Sequence, residues 1–181
     1  KEMETRISRF RSLKPLPIQD PSTPEKARDV VYARKLLSVI GLEDAKTPIN
    51  MGAPIIGAAG MTMTLAVCPP GQGPGLHAHR QTYETFTVLK GRFEVRWNDD
   101  GSGSATLGLF DTVSFPPGVC RSFRNVGDEE GMLQVIITGG VHDMNDIAFT
   151  SEAKKQIEDV KPGLSAEFEK AGFTFSIPSR R

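Results

Sequence analysis

From Met61 onward the hydrophobic pattern has a period of two. Met61, Met63, Leu65 and Val67 share one face while Thr62, Thr64, Ala66 and Cys68 share the other, which predicts a strand. Phe93, Val95 and Trp97 alternate with Arg92, Glu94 and Arg96, so this segment reads as a strand with one buried and one wet face. Asn98-Asp99-Asp100-Gly101 supplies turn residues after it. Further β-rich runs at Tyr83 to Leu89, Ala105 to Phe115, Arg121 to Val126 and Met132 to Thr138 are separated by Gly- and Pro-containing turns. No crossover helix fits between them, so the pattern predicts an antiparallel sandwich or barrel rather than an α/β fold.

The flanks read differently. Pro15, Pro17, Pro21 and Pro24 punctuate an extended N-terminal arm, followed by one helical pattern in which Val30, Ala33, Leu37 and Ile40 recur at steps of three and four. Ser22 with Glu25, or Thr23 ahead of Pro24, is expected to cap this helix, and Gly41 to end it. After Gly139-Gly140, Ala153, Ile157 and Val160 mark a second helix that stops at Lys161-Pro162-Gly163. Leu164, Phe168 and Ala171 mark a short third one. Phe173, Phe175 and Ile177 alternate with Thr174 and Ser176 and predict a last edge strand, pairing with a neighbouring sheet or subunit. The expected organisation is one structural domain: residues 1–60 an arm and helix packed on the barrel, 61–140 the barrel, and 141–181 a helical tail.

Charge narrows the classes of function. The 22 Lys+Arg balance 22 Asp+Glu, so no global field attracts nucleic acid or an anionic membrane. The most apolar stretch, Ala53 to Val67, is interrupted by Pro54, Gly57 and Gly60 and is too short for a membrane helix. The N-terminal residues do not read as a secretory signal. Two cysteines, Cys68 and Cys120, are too few for a disulfide scaffold, and both are expected to be reduced thiols of a cytoplasmic protein.

The candidate chemistry starts from His77-Ala78-His79. The i, i+2 spacing sends both imidazoles to one side of a strand, where they can grip one ion. Glu84 lies five residues beyond His79 and would face the other way on an unbroken strand, so Arg80-Gln81-Thr82 must turn the chain for it to join them. Two imidazoles and a carboxylate suit iron, manganese, nickel or zinc and leave coordination positions open. Tyr83 and Gln81 flank Glu84 and are candidates to orient a bound oxygen or substrate, with edge packing as the alternative. His142 is a candidate proton carrier over the mouth, or a plain loop residue.

Gly71, His77, His79, Glu84 and Gly91 spell G-x5-H-x-H-x4-E-x6-G, which closely resembles the first motif of the cupin superfamily. Pro116-Pro117-Gly118 and Asn125 resemble the second, G-x5-P-x-G-x2-H-x3-N. The likeness covers about residues 61 to 138. It implies an all-β fold, a double-stranded β-helix or jelly-roll barrel with short N- and C-terminal helices, and a homodimer. Carried over, His77, His79 and Glu84 would be metal ligands of a divalent transition ion, iron first, with manganese, nickel or zinc as alternatives. Two positions depart from the family: Phe110 stands at the leading Gly of the second motif, and Arg121 stands where a fourth ligand is usual.

A guanidinium has no lone pair for a metal. Three placements of Arg121 stay open: a clamp for a substrate carboxylate beside a three-ligand metal, a partner of Glu84 at a lost metal site, or a solvent-facing rim residue. The expected function is a metal-dependent oxygenase acting on a small organic, possibly aromatic, acid, with Arg121 and Tyr83 as catalytic candidates and no nucleic-acid or membrane partner. The alternatives are metal-assisted isomerase or lyase chemistry and a non-catalytic ligand-binding module.

Overall fold

The structure is a computed structural model, and it describes residues 2–17, 22–43, 52–141 and 143–178. Its frame is two facing sheets. In chain order the elements are α1 (Glu25–Val31), β1 (Lys35–Gly41), β2 (Ile55–Ile56), β3 (Met61–Cys68), β4 (His77–His79), β5 (Tyr83–Lys90), β6 (Phe93–Trp97) and β7 (Gly103–Leu107). They continue with β8 (Thr112–Phe115), β9 (Arg121–Asn125), β10 (Gly131–Thr138), β11 (Ile147–Phe149), α2 (Ser151–Val160) and α3 (Leu164–Lys170). One sheet has the order β2-β1-β3-β10-β5-β8 and the other β11-β4-β9-β6-β7. Every pairing is antiparallel except β1 with β2, as the short predicted turns require.

Alternation decides what fills the space between the sheets. On β5 the residues Glu84, Phe86 and Val88 are buried, while Tyr83, Thr85 and Thr87 are on the outer side. There Thr85 pairs with Ser114 at 2.8 Å and Thr87 with Thr112 at 2.9 Å through their hydroxyls. Phe86, Val88, Phe93, Val95, Phe115, Phe123 and Leu133 form the barrel core, and Phe86 meets Phe123 edge-on at 5.0 Å. The Met61–Val67 face of β3 turns outward instead. Leu65 and Val67 pack with Leu37 and Val39 of β1 under Leu13 of the N-terminal arm.

The expected helix through Ile40 and Gly41 is corrected. Helix α1 ends at Val31 and residues 35–41 form a strand, with Leu37 opposite Leu65 and Ile40 opposite Met63 on β3. The three- and four-residue steps run across a helix and a strand that happen to be adjacent. The β-rich Leu36-Leu37-Ser38-Val39-Ile40 gains more by completing the sheet than by extending the helix. No side chain caps α1, and Pro24 occupies its cap position. The predicted strand over 105–115 is likewise two strands, β7 and β8, because the chain turns at Gly108–Asp111. Phe110 sits there at φ 67, and Asp111 Oδ2 accepts the Gly108 amide at 2.8 Å.

The C-terminal prediction fits better. Ala153, Ile157, Leu164 and Phe168 are buried against Ala27, Val31, Phe149 and Phe173, which joins α1, α2 and α3 in one cluster beside the barrel. Thr150 caps α2 by accepting the Ala153 amide at 3.3 Å. The Phe173–Ile177 segment is not a full strand. It lies beside β11 within the same chain, with one parallel bridge between Ile177 and Thr150 and amide bonds linking it to Phe149. Among the described residues no helix is long and apolar enough to cross a membrane.

Candidate metal centre

Strand β4 is short because it has one task on each face. Ala78 turns to one side, while His77 and His79, both buried, turn inward. β11 runs antiparallel beside β4 with Ile147 opposite His79 and Phe149 opposite His77. Arg121 of β9 is opposite His77 on the other side. The turn at Arg80–Thr82 then reverses the chain so that Glu84, first of the inward residues of β5, meets both imidazoles. Its Oε2 is 3.8 Å from His77 Nε2 and 3.6 Å from His79 Nε2. The donor atoms of His77, His79 and Glu84 lie within 4.8 Å of one another, and all three residues are buried.

Neighbouring groups hold each imidazole by its other nitrogen. His77 Nδ1 is 2.9 Å from the Gly75 carbonyl oxygen, which can only accept, so Nδ1 carries the proton and the Nε2 lone pair faces Glu84. His79 Nδ1 faces Thr82 Oγ1 at 3.0 Å and Asp146 Oδ2 at 3.2 Å. The Thr82 hydroxyl donates to that same Asp146 oxygen at 2.6 Å, so its oxygen is left to accept from His79. Two imidazoles with free, convergent lone pairs beside an anionic carboxylate suit a first-row divalent ion.

Burial penalises the protonated form of His77 and lowers its pKa, opposed by the nearby Glu84 carboxylate and reinforced by the Arg121 charge. Burial also acts to raise Glu84. The Arg121 guanidinium and the polar imidazole surroundings outweigh that and hold the carboxyl well below its ordinary range. The site is therefore poised as neutral His77 and ionised Glu84, the protonation states that metal ligation needs.

Of the three placements open for Arg121, the structure shows it inward and fully buried. Its Nε donates to Glu84 Oε2 at 2.8 Å and its Nη1 to the Val119 carbonyl at 3.1 Å. The rim placement is thereby corrected: position 121 points into the barrel because Arg121, Phe123 and Asn125 share the inner, buried side of β9. Arg121 does not line the cavity, so it is not placed to clamp a molecule there. Its Nη2 is buried with no hydrogen-bond partner among the described residues. The oxygen that Arg121 holds, Oε2, is the same one that faces both imidazoles.

Tyr83 does not join the site either. It precedes Glu84 on β5, so alternation sends it to the outer face, where it is half exposed. Gln81 contributes its backbone amide, which donates to Asp146 Oδ1 at 2.6 Å, while its side chain is exposed. His142 lies outside the described residues. Cys68 and Cys120 are free and buried, and burial raises their thiols to about 12 and about 11, so neither is a nucleophile. Asn125, at the end of the second motif, is structural: its amide donates to the Cys68 and Glu129 carbonyls at 2.9 and 2.7 Å, and its oxygen accepts from Gly127.

The three donors open onto a cavity of about 90 Å³ whose other walls are almost wholly apolar. Thr64, Ala66, Phe123, Val135 and Ile137 come from the barrel strands. The remaining wall comes from the flanks, with Tyr32 and Leu36 on the N-terminal side and Met144, Phe149 and Phe173 on the C-terminal side. Tyr32 and Phe173 meet edge-on at 5.7 Å, and Phe149 lies against the His77 ring at 5.2 Å. Sequence reasoning missed Asp146, Thr82 and this aromatic wall. The polar run Asp143-Met144-Asn145-Asp146 after the Gly-Gly pair was the one available signal.

Residues 64–137, from within β3 to β10, match the cupin domain family. The matched segment spans most strands of this double-stranded β-helix barrel and contains the histidine–glutamate cluster. The chain is similar to a Klebsiella pneumoniae protein with a double-stranded β-helix domain, at 22% identity and a TM-score of 0.42, over 46% of this chain and 70% of that one. It is similar to a Bacillus halodurans protein at 20% identity and a TM-score of 0.46, over 49% and 70%. A third similar structure is KdgF from Halomonas sp., at 16% identity and a TM-score of 0.44, over 50% and 78%. A comparison with curated proteins gives no match.

Proposed function

We propose that this chain is a metal-dependent cupin oxygenase acting on a small, largely apolar organic acid, with iron as its metal. The observation that carries the reading is the meeting of two imidazole lone pairs and an ionised carboxylate at one wall of an otherwise apolar cavity. His77, His79 and Glu84 would hold the ion, which when bound supplies Lewis acidity, redox capacity and open positions for an oxygen donor.

The chain's own residues do the rest. The Gly75 carbonyl and the Thr82–Asp146 pair keep both Nε2 atoms aimed at the ion site. Arg121 keeps Glu84 ionised through its Nε–Oε2 bond. Phe149, Phe173, Leu36 and Ile137 exclude water and offer dispersion contacts to an apolar or aromatic body. Among the described residues no arginine or lysine lines this cavity, so the acid's carboxylate would be held at the ion end, and selectivity would come from the fit of its apolar part.

Oxygen-electrode assays of the iron-reconstituted protein against a panel of small aromatic and hydroxy acids test this. The reading expects oxygen uptake with one or more of them, abolished by His79→Ala. Conversion of an acid without oxygen uptake would instead establish isomerase or lyase chemistry. One observation favours a non-catalytic binding module as the second reading: Glu84 is already neutralised by Arg121 and so makes a closed pair without an ion.

A further inference from the structure

We propose that Asp146 is the positioning residue of this centre, and that the C-terminal segment carrying it is thereby a working part of the site. The inference rests on the proposed metal site and assigns it a residue outside the family-matched 64–137 segment. Asp146 is buried and uses both carboxylate oxygens. Oδ2 faces His79 Nδ1 at 3.2 Å and accepts the Thr82 hydroxyl at 2.6 Å, while Oδ1 accepts the Gln81 amide at 2.6 Å. Its backbone carbonyl accepts the Arg80 amide at 2.7 Å. One residue therefore holds all three positions of the Arg80–Thr82 turn, the turn that brings Glu84 back to the histidines, and also orients one of those histidines.

The surroundings reinforce the hold. Arg80 reaches across to the Asn145 carbonyl at 2.6 Å and to Ser176 Oγ at 3.1 Å, and β11 follows Asp146 directly to pair with β4. The carboxylate–imidazole contact fixes the proton of His79 on Nδ1 and leaves Nε2 as the ligand atom, and such outer contacts typically govern metal affinity by about ten- to a hundredfold.

Asp146→Asn isolates this role. A carboxylate accepts on both oxygens, whereas an amide must turn its NH2 either toward the Gln81 amide, which also donates, or toward His79 and Thr82. The first choice loosens the turn, and the second pushes the His79 proton to Nε2. Zn²⁺ affinity would be measured by competition with a chromophoric chelator. In parallel, ¹⁵N NMR of the imidazoles in metal-free protein would report the His79 tautomer. The expected result is at least tenfold weaker Zn²⁺ binding together with loss of a single Nδ1–H tautomer, in a protein that still folds.

If Asp146→Asn does not fold, Thr82→Val, nearly isosteric, leaves Asp146 Oδ2 as the remaining acceptor for His79 and should keep the Nδ1–H tautomer with Zn²⁺ binding within threefold of the parent, whereas loss of that tautomer would assign the role to Thr82 and overturn the proposal. A folded Asp146→Asn protein that keeps the Nδ1–H tautomer and binds Zn²⁺ within threefold of the parent overturns the proposal. A parent protein that takes up no Zn²⁺ contradicts the metal reading, and the tautomer in metal-free protein then decides the role of Asp146 by itself.

Discussion

Replacing Arg121 with methionine should weaken the metal-free fold and strengthen metal binding in the same protein. The Arg121 side chain is fully buried and that of Glu84 is 8% exposed, with 2.8 Å between Nε and Oε2. Removing one partner of a buried pair leaves an uncompensated charge and costs about 3–5 kcal/mol. Part of that returns, because Nη2 of Arg121 is itself buried without a partner and such an unmet donor costs roughly 1–3 kcal/mol. Methionine fills much of the same volume, so the net expectation is a loss of about 2 kcal/mol in urea unfolding of metal-free Arg121→Met.

The second half of the prediction has the opposite sign. A guanidinium sharing Glu84 opposes a divalent ion at the same carboxylate, and unit charges about 4 Å apart interact by about 4 kcal/mol at an effective dielectric of 20. Without that cation the Zn²⁺ dissociation constant should fall at least tenfold. At a hundredfold excess over the dissociation constant, Zn²⁺ would then restore about 2.7 kcal/mol. Chelator competition and urea titrations with and without Zn²⁺ read both halves. Stability unchanged in the metal-free variant, or Zn²⁺ binding weaker than in the parent, would refute the electrostatic account of Glu84.

Other expectations concern acid stability and backbone strain. His77 has a lowered pKa through burial, so its contribution is complete above the ordinary histidine value of 6.5 and is lost as pH falls below it, because the unfolded chain takes up the proton first. Urea unfolding of His77→Gln should therefore be flatter between about pH 7 and pH 5 than that of the parent. Burial acts to raise Asp146, but its bonds to His79, Thr82 and the Gln81 amide bring it down from 3.8 to about 2. Its contribution, about 2 kcal/mol, is thus present above pH 4 and lost as pH falls toward 2, a step that Asp146→Asn should lack. Phe110 is 71% exposed at φ 67, so Phe110→Gly should raise the thermal midpoint by relieving about 1 kcal/mol of left-handed strain, and a lower midpoint would contradict this. At Gly73 an added Cβ would fall 1.9 Å from the Phe123 carbonyl oxygen, so Gly73→Ala should cost more than about 2 kcal/mol in chemical unfolding.

The convergence of His77, His79 and Glu84 was legible because its geometry is local. Two histidines two apart on a strand must share a face, and the turn needed to return Glu84 could be stated from spacing alone. Arg121 was harder. Chemistry excluded it as a ligand, yet whether it faced inward depended on the register of β9 against β4 and β6, which no short spacing encodes. Asp146 reaches Thr82 across 64 positions, and nothing in its own neighbourhood marks it as buried. The helix expected through Ile40 failed because a helical step pattern and a strand segment were joined at Ala33-Arg34, and only pairing with β3 separates them. The barrel strands were readable for the opposite reason: alternation within each strand reports burial on one face whatever the partner.

Elemental analysis of untagged protein decides whether His77, His79 and Glu84 form a working metal site in spite of Arg121. The control is His77→Ala/His79→Ala purified in the same way. A working site is expected to carry near-stoichiometric iron or another first-row divalent ion in the parent and none in the control. Equal, trace metal in both proteins, persisting after anaerobic reconstitution with Fe²⁺, would contradict it and leave Arg121–Glu84 as a closed, metal-free pair.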